Sequence, residues 1–207
     1  MGNENLLLQG EIGIGKSTTI RDSVIPYMDF VGGYYTQRIL DGKEKVGFLV
    51  RPIESKEDYV LNKDIKDLKP DEMQRLFAYK NPNGTWAFDN ETFAHFSMKY
   101  LSEGLRHRKK LLIADELGGM EFQKNSFLRG ITKIFLSDVP VLGVLKSSCN
   151  FHKLQRATLL ETPCKNLEQF KSLVNQRAQV ILLTPGMDGK VVAQVQAFVK
   201  KSIMAGN

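Results

Sequence analysis

The chain has 207 residues, 42% of them hydrophobic; that is enough for one compact domain with a full core, and slightly more than a minimal one needs. Its 29 basic residues against 23 acidic give a formal charge of +6, which suits an anionic ligand without distinguishing a nucleotide from a nucleic acid. Only two cysteines are present, Cys149 and Cys164, and neither has a partner at metal-ligand spacing, which excludes a disulfide framework or a zinc site and leaves two reduced thiols.

The N-terminus runs from Met1 directly into Leu6-Leu7-Leu8. It has no basic leader, long apolar run or cleavage site, so the expectation is a cytoplasmic protein outside the membrane. Leu6 also stands where myristoylation of Gly2 needs Ser or Thr. Asn5 to Gln9 reads as a short buried strand, followed by a glycine-rich turn and a helix near Ser17 to Val24. Val31 to Leu40 and Lys45 to Arg51 read as strands of a hairpin turning at Asp41-Gly42, a dipeptide suited to positive φ. The charge-rich stretch 52–83 has weak periodicity, with Asp71 to Tyr79 its best helix, and suits a lid or insertion.

Asp89 is an N-cap candidate for a helix whose apolar face carries Phe93, Phe96, Tyr100, Leu101 and Leu105. That helix ends in Arg106-His107-Arg108-Lys109-Lys110, cations that complement a helix C-terminus. Strands follow at Leu111 to Ala114, Val139 to Leu145 and Val180 to Leu183, with helices at Lys124 to Leu136, Asn166 to Gln176 and Lys190 to Lys201. Strands alternating with helices predict one α/β domain, a mainly parallel sheet covered on both faces.

The strongest chemical signal is Gly10-Glu11-Ile12-Gly13-Ile14-Gly15-Lys16-Ser17, which satisfies the P-loop spacing between a strand and a helix. Gly10, Gly13 and Gly15 let backbone N–H groups turn inward around phosphate oxygens, with Lys16, Ser17 and Thr18 opening a helix whose N-terminal end is positive. Lys16 is placed to reach the β- and γ-phosphates, and Ser17 offers a hydroxyl to Mg²⁺. The second signal is Leu111-Leu112-Ile113-Ala114-Asp115-Glu116, an apolar strand delivering adjacent acids to its C-terminal edge. Asp115 is the candidate to hold Mg²⁺, and Glu116 the candidate to orient and deprotonate an attacking water.

At these residues the sequence resembles the small P-loop nucleoside triphosphatases, a family with thermophilic bacterial and human members. Beyond the P-loop, the resemblance rests on Gly33-Tyr34-Tyr35-Thr36 with Gly47-Phe48, and on Asp115-Glu116-Leu117-Gly118-Gly119-Met120-Glu121. It implies a RecA-like sheet with a β-hairpin after the first helix, and Mg²⁺-dependent hydrolysis of several nucleoside triphosphates with little base selectivity. The family hairpin usually carries Glu and Arg where this chain has Arg38 and Leu40, and an Asn-Arg pair after its last strand is replaced here near Thr184-Pro185 by Gly186-Met187. Lys146, just past a strand, is either a γ-phosphate sensor in their place or a plain surface lysine.

Several residues admit alternative readings. Glu121 either positions the catalytic water or caps the following helix. Trp86 and Tyr35 either stack on a base or belong to the core. His95, His107 and His152 show no ligand spacing, and the basic run from Arg106 lacks the interleaved aromatics of a nucleic-acid surface. The leading expectation is therefore an ATP-, GTP- or other NTP-hydrolysing enzyme with Lys16 and Glu116 as its catalytic residues. A nucleoside or nucleotide kinase is the second reading, and a weakly active nucleotide-dependent switch or scaffold binding a protein or nucleic acid partner is the third.

Overall fold

A computed structural model of the chain describes residues 5–146, 165–185 and 188–205. Cys149, Cys164, His152, Gly186 and Met187 lie outside the described residues. Three strands rich in leucine and valine form the middle of the sheet: β1 (Asn5–Gly10), β7 (Leu111–Leu117) and β8 (Val141–Leu145). Their side chains are buried on both faces, which is why they read as continuous apolar runs rather than alternating ones. β1 pairs in parallel with β8 and with β9 (Ala178–Leu183), while β8 pairs in parallel with β7. β7 in turn pairs in parallel with β2 (Val31–Asp41).

Beyond β2 the sheet changes character. β3 (Glu44–Pro52), β5 (Leu76–Lys80) and β6 (Trp86–Phe88) continue it with antiparallel pairings, and the short β4 (Asn62–Asp64) lies parallel beside β2. The strand order is β6-β5-β3-β2-β7-β8-β1-β9, so the sheet is mixed, parallel around the P-loop strand and antiparallel on the far side of β2. β2 turns into β3 at Gly42, whose φ of 57° is the left-handed conformation a two-residue turn needs.

Helices cover both faces. On one side α1 (Lys16–Val24) and α5 (Asp188–Met204) bury Ile20, Val24, Val191, Val195 and Val199 against Leu6, Leu8 and Ile113. On the other, α2 (Asn90–Arg106), α3 (Asn125–Phe135) and α4 (Lys165–Arg177) bury Phe93, Leu101, Phe127 and Phe170 against Leu7, Leu112 and Ala114. Asp89 starts α2 by accepting from the N–H groups of Glu91 and Thr92, each at 3.0 Å. The α2–β2–β7 contact is tight: a Cβ on Gly33, which has φ of +100°, would sit 2.2 Å from the Ile113 carbonyl oxygen. Only glycine fits there.

The helix expected over Asp71 to Tyr79 does not form. Pro70–Arg75 is a 3₁₀ turn and Leu76–Lys80 is strand β5. Two forces decide this. Phe77 packs on Phe48 of β3 and Phe93 of α2, with ring centroids 6.1 and 4.8 Å apart, and this cross-strand contact favours an extended chain. Glu72, only 4% exposed, is drawn inward, where its carboxylate accepts from Lys63 at 2.6 Å, from the Lys69 N–H at 2.9 Å and from Arg51 of β3. Burial alone would push the Glu72 carboxyl up, but these donors outweigh it and hold the group at about 2.

A folded-state value below the ordinary 4.5 means that this cluster's stabilisation is complete above about pH 4.5 and is lost as pH falls toward about 2. A Glu72→Gln protein leaves two cations without their acid and is expected to lose on the order of 3 kcal/mol at pH 7. The difference from the native chain should shrink at pH 3, as read by urea denaturation at the two pH values.

Candidate active site

The turn from β1 into α1 is built by glycines in left-handed conformations: Gly13 has φ of 85° and Gly15 of 99°. A Cβ on either would meet no atom within 4 Å, so the loop surrounds open space, and its glycines serve conformation rather than packing. Gly15 is also the N-cap of α1, with no side chain to cap the helix and no acidic residue in the first turn. The N–H groups of the first turn therefore present uncompensated positive charge to whatever anion enters the loop. Lys16 folds its ammonium over the loop, donating to the carbonyls of Gly10 at 2.9 Å and Glu11 at 2.6 Å. Burial lowers its pKa, the charge of Arg38 adds to that effect, and Glu116 and Asp115 oppose it.

Opposite the loop, the two acids lie near the C-terminal end of β7. Asp115 is 1% exposed, and neither carboxylate oxygen has a hydrogen bond of ordinary geometry among the described residues. Burial, followed by the charge of Glu116, pushes its carboxyl up to about 7, while Ser17, Arg38 and Lys16 pull it down. An orphaned carboxylate beside the Ser17 hydroxyl is the donor set that a hard divalent cation completes with waters and phosphate oxygens. Among the described residues no group of three or more acids, histidines or cysteines could hold a metal ion by itself, so a cation here would need ligands beyond these side chains. That fits an ion that arrives with a nucleotide.

Glu116 is more open. Lys146 Nζ lies 3.7 Å from its Oε2, and the Tyr34 hydroxyl donates to its backbone carbonyl at 3.1 Å. The Asp115–Glu116 peptide is cis. Thr36, Phe93, Glu116, Glu121 and Lys146 line a crevice of about 50 Å³, room for a few waters. Glu121, one of the two-way readings, folds back: its Oε1 accepts from the N–H groups of Gly118 and Gly119, both at 2.8 Å, and fixes the loop after β7. It does not cap α3, whose first turn has no side-chain cap.

The remaining sequence candidates fall elsewhere. Tyr35 is fully buried and stacks at 4.4 Å on Tyr59, so it is core and offers no base platform. Trp86 packs on Phe48 at the far edge of the sheet. In the basic run, Lys109 donates to the Asp29 carbonyl and Lys110 to that of Ile203, so both tie the end of α2 to its neighbours. Two residues near the site were not singled out for chemistry. Tyr59 is buried with its hydroxyl unpartnered and feels the charge of Asp115. Arg38 acts electrostatically on both Lys16 and Asp115. Arg38 stood out in the sequence only as a departure from the family's hairpin pattern, and no sequence signal pointed to Tyr59.

With this geometry in place, comparison with known proteins decides the family. A model of the NTPase family matches residues 5–173, a span containing both the P-loop and the Asp115-Glu116 strand. The chain belongs to this NTPase family. Its curated relatives include three named nucleoside-triphosphatase THEP1. That of Natranaerobius thermophilus is 29% identical over 153 residues, 73% of this chain and 80% of the relative. That of Thermotoga petrophila is 27% identical over 143 residues, covering 69% and 72%. That of Methanocaldococcus jannaschii is 25% identical over 179 residues, covering 83% and 95%. The fold matches the solution structure of a human cancer-related nucleoside triphosphatase, with a TM-score of 0.62 at 16% identity over 96% of this chain and 98% of that one. It also matches the crystal structure of THEP1 from Aquifex aeolicus, with a TM-score of 0.61 at 18% identity over 95% and 99%. None of the described helices is long and apolar enough to cross a membrane.

The raised Asp115 carboxyl gives a stability prediction for the metal-free chain. Because its folded value of about 7 lies above the ordinary 3.8, the stability from keeping it protonated is full below about pH 3.8 and is lost as pH rises through about 7. Asp115→Asn should remove that dependence and, in the presence of chelator at pH 8, stabilise the protein by a few kcal/mol, on the order of the charge-burial cost it relieves. Denaturant melts of both proteins at pH 5 and pH 8 read the effect.

Proposed function

We propose that this family member is a Mg²⁺-dependent nucleoside triphosphatase, converting an NTP and water to an NDP and phosphate at the P-loop. The observation that carries this reading is the facing of Lys16 and the uncapped start of α1 by the adjacent acids Asp115 and Glu116, close enough that both acids act on the lysine's charge. Gly10, Gly13, Gly15, Lys16, Ser17 and Thr18 bind the triphosphate. Ser17 and Asp115 would hold the cation, which when bound supplies positive charge to the β- and γ-phosphate oxygens.

Glu116 orients a water for in-line attack on the γ-phosphorus. As the bond from the water oxygen forms, the bond to the β,γ-bridging oxygen breaks, and the water's proton passes to the Glu116 carboxylate. Lys16 and the loop amides offset the negative charge on the phosphoryl oxygens in the transition state. Lys146, paired with Glu116 at 3.7 Å, holds the carboxylate toward the site and is placed to sense the γ-phosphate. Because the loop recognises phosphates and Tyr35 is buried, little base selectivity is expected.

The crevice beside Glu116 supports water as the acceptor. At about 50 Å³ it is far below the roughly 300 Å³ at which small-molecule pockets begin, which favours water over a nucleoside as the acceptor. β4 and β5, from the stretch 52–83, belong to the same sheet as the P-loop strand, which supports reading the chain as one domain.

Phosphate release from a panel of NTPs with Mg²⁺ tests the assignment. Lys16→Ala should abolish release, and Glu116→Gln should lower kcat by roughly 10²–10⁴-fold while retaining nucleotide binding. Full hydrolysis by the Glu116→Gln protein would remove Glu116 from its role, and transfer of labelled phosphate to a nucleoside in place of release would overturn the hydrolase reading.

A further inference from the structure

We propose that Arg38 grips the terminal phosphoryl group of a nucleoside triphosphate bound on the P-loop, and so lets the site distinguish a triphosphate from a diphosphate. The inference rests on the P-loop reading above and adds to it a residue that lies outside both sequence motifs.

The placement comes from the sheet. The pairing of β2 with β7 ends at Tyr34 opposite Ala114, yet β2 continues to Asp41. Its last residues therefore stand past the end of β7, over the edge where Asp115 and Glu116 emerge. Along that extension Gln37 and Ile39 are buried, while Thr36, Arg38 and Leu40 alternate to the opposite side. Thr36 lines the crevice that contains Glu116 and Lys146. Arg38 stands two residues along the same side, about 7 Å further at strand spacing, within reach of a long side chain.

Arg38 is also short of a partner. Its N–H is fixed to the Leu61 carbonyl at 2.8 Å, but among the described residues its guanidinium makes only a long 3.4 Å bond to the neutral Asn62 Oδ1. Among the described residues no carboxylate forms an ion pair with it. Its charge instead acts on Lys16, which it disfavours as a cation, and on Asp115, which it favours as an anion. A polyphosphate entering the loop adds negative charge that attracts both cations, beyond what Asp115 and Glu116 supply. A guanidinium supplies a planar fork of N–H donors that matches two oxygens of one phosphoryl group, a geometry the Lys16 ammonium does not offer. Lys16 is anchored at the loop, so Arg38, arriving from β2, fits the terminal group.

The test is isothermal titration of the full chain with Mg²⁺-ADP and with the Mg²⁺ complex of a β,γ-imido ATP analogue. The native protein is compared with Arg38→Met, which keeps the aliphatic stem, and with Arg38→Lys. The expectation is that Arg38→Met binds the triphosphate analogue roughly 10- to 100-fold more weakly, the loss of one charged bidentate contact, with ADP affinity changed by less than about twofold and with Arg38→Lys between. An unchanged ratio of triphosphate to diphosphate affinity in Arg38→Met overturns the proposal, as does an equal loss of both ligands, which would mark a structural role. A native chain that binds the triphosphate analogue with no contribution from Arg38 leaves the hydrolase reading standing. One that binds neither nucleotide overturns both.

Discussion

A carboxylate buried to 1% exposure, with neither oxygen in a hydrogen bond of ordinary geometry among the described residues, either stays protonated or takes up a cation. Asp115 is that group, and much of the structure can be understood from the need to hold it in place. It lies at the end of β7, flanked in the sheet by β2 and β8 and covered on both faces, so the backbone beneath it has no freedom to expose it. The positive charges that act on it come from two separate elements, Arg38 of β2 and Lys16 at the turn from β1 into α1. The site forms because parallel strands bring both C-terminal ends to one edge.

The two sides of that edge have different chemistry. The P-loop side is made of backbone: left-handed glycines, an uncapped helix start and Lys16 resting on carbonyls, a surface complementary to phosphate. The β2 side is made of side chains: Glu116 with Lys146, Thr36, and Arg38 beyond them. On that side Tyr34 donates to the Glu116 carbonyl, and burial, reinforced by Glu121, pushes its own ionisation well up, so it remains a donor at neutral pH. Glu121 fixes the loop after β7 by accepting two N–H groups. It is second to the chemistry, holding Gly118 and Gly119 so that Lys146 can sit against them.

What was legible in the sequence was what local chemistry dictates. Glycine spacing with Lys16 gave the loop, the leucine runs gave the buried strands, and Asp89 gave the start of α2. The stretch 52–83 was not legible, because its structure is decided by partners distant in sequence. Arg51 and Phe48 of β3, with Phe93 of α2, pull Glu72 and Phe77 into a turn and a strand where local propensity favoured a helix. Glu121 was ambiguous for a related reason, since a carboxylate two or three residues from a pair of glycines folds back only if the backbone does. Arg38 appeared in the sequence as a departure from the family's pattern. Its proximity to Lys16 and Asp115 emerges only once β2 is seen to outrun β7.

Hydrolysis as proposed requires Asp115 and the P-loop to hold a metal-bound triphosphate together at the C-terminal edge of the sheet. A crystal structure of the chain with Mg²⁺ and a non-hydrolysable ATP analogue tests it most directly. The account predicts phosphates enclosed by the backbone of Gly10 to Thr18, with the metal bonded to the Ser17 hydroxyl and joined to Asp115 directly or through one water. A nucleotide bound elsewhere, or phosphates in the loop with the metal remote from Asp115, would contradict it.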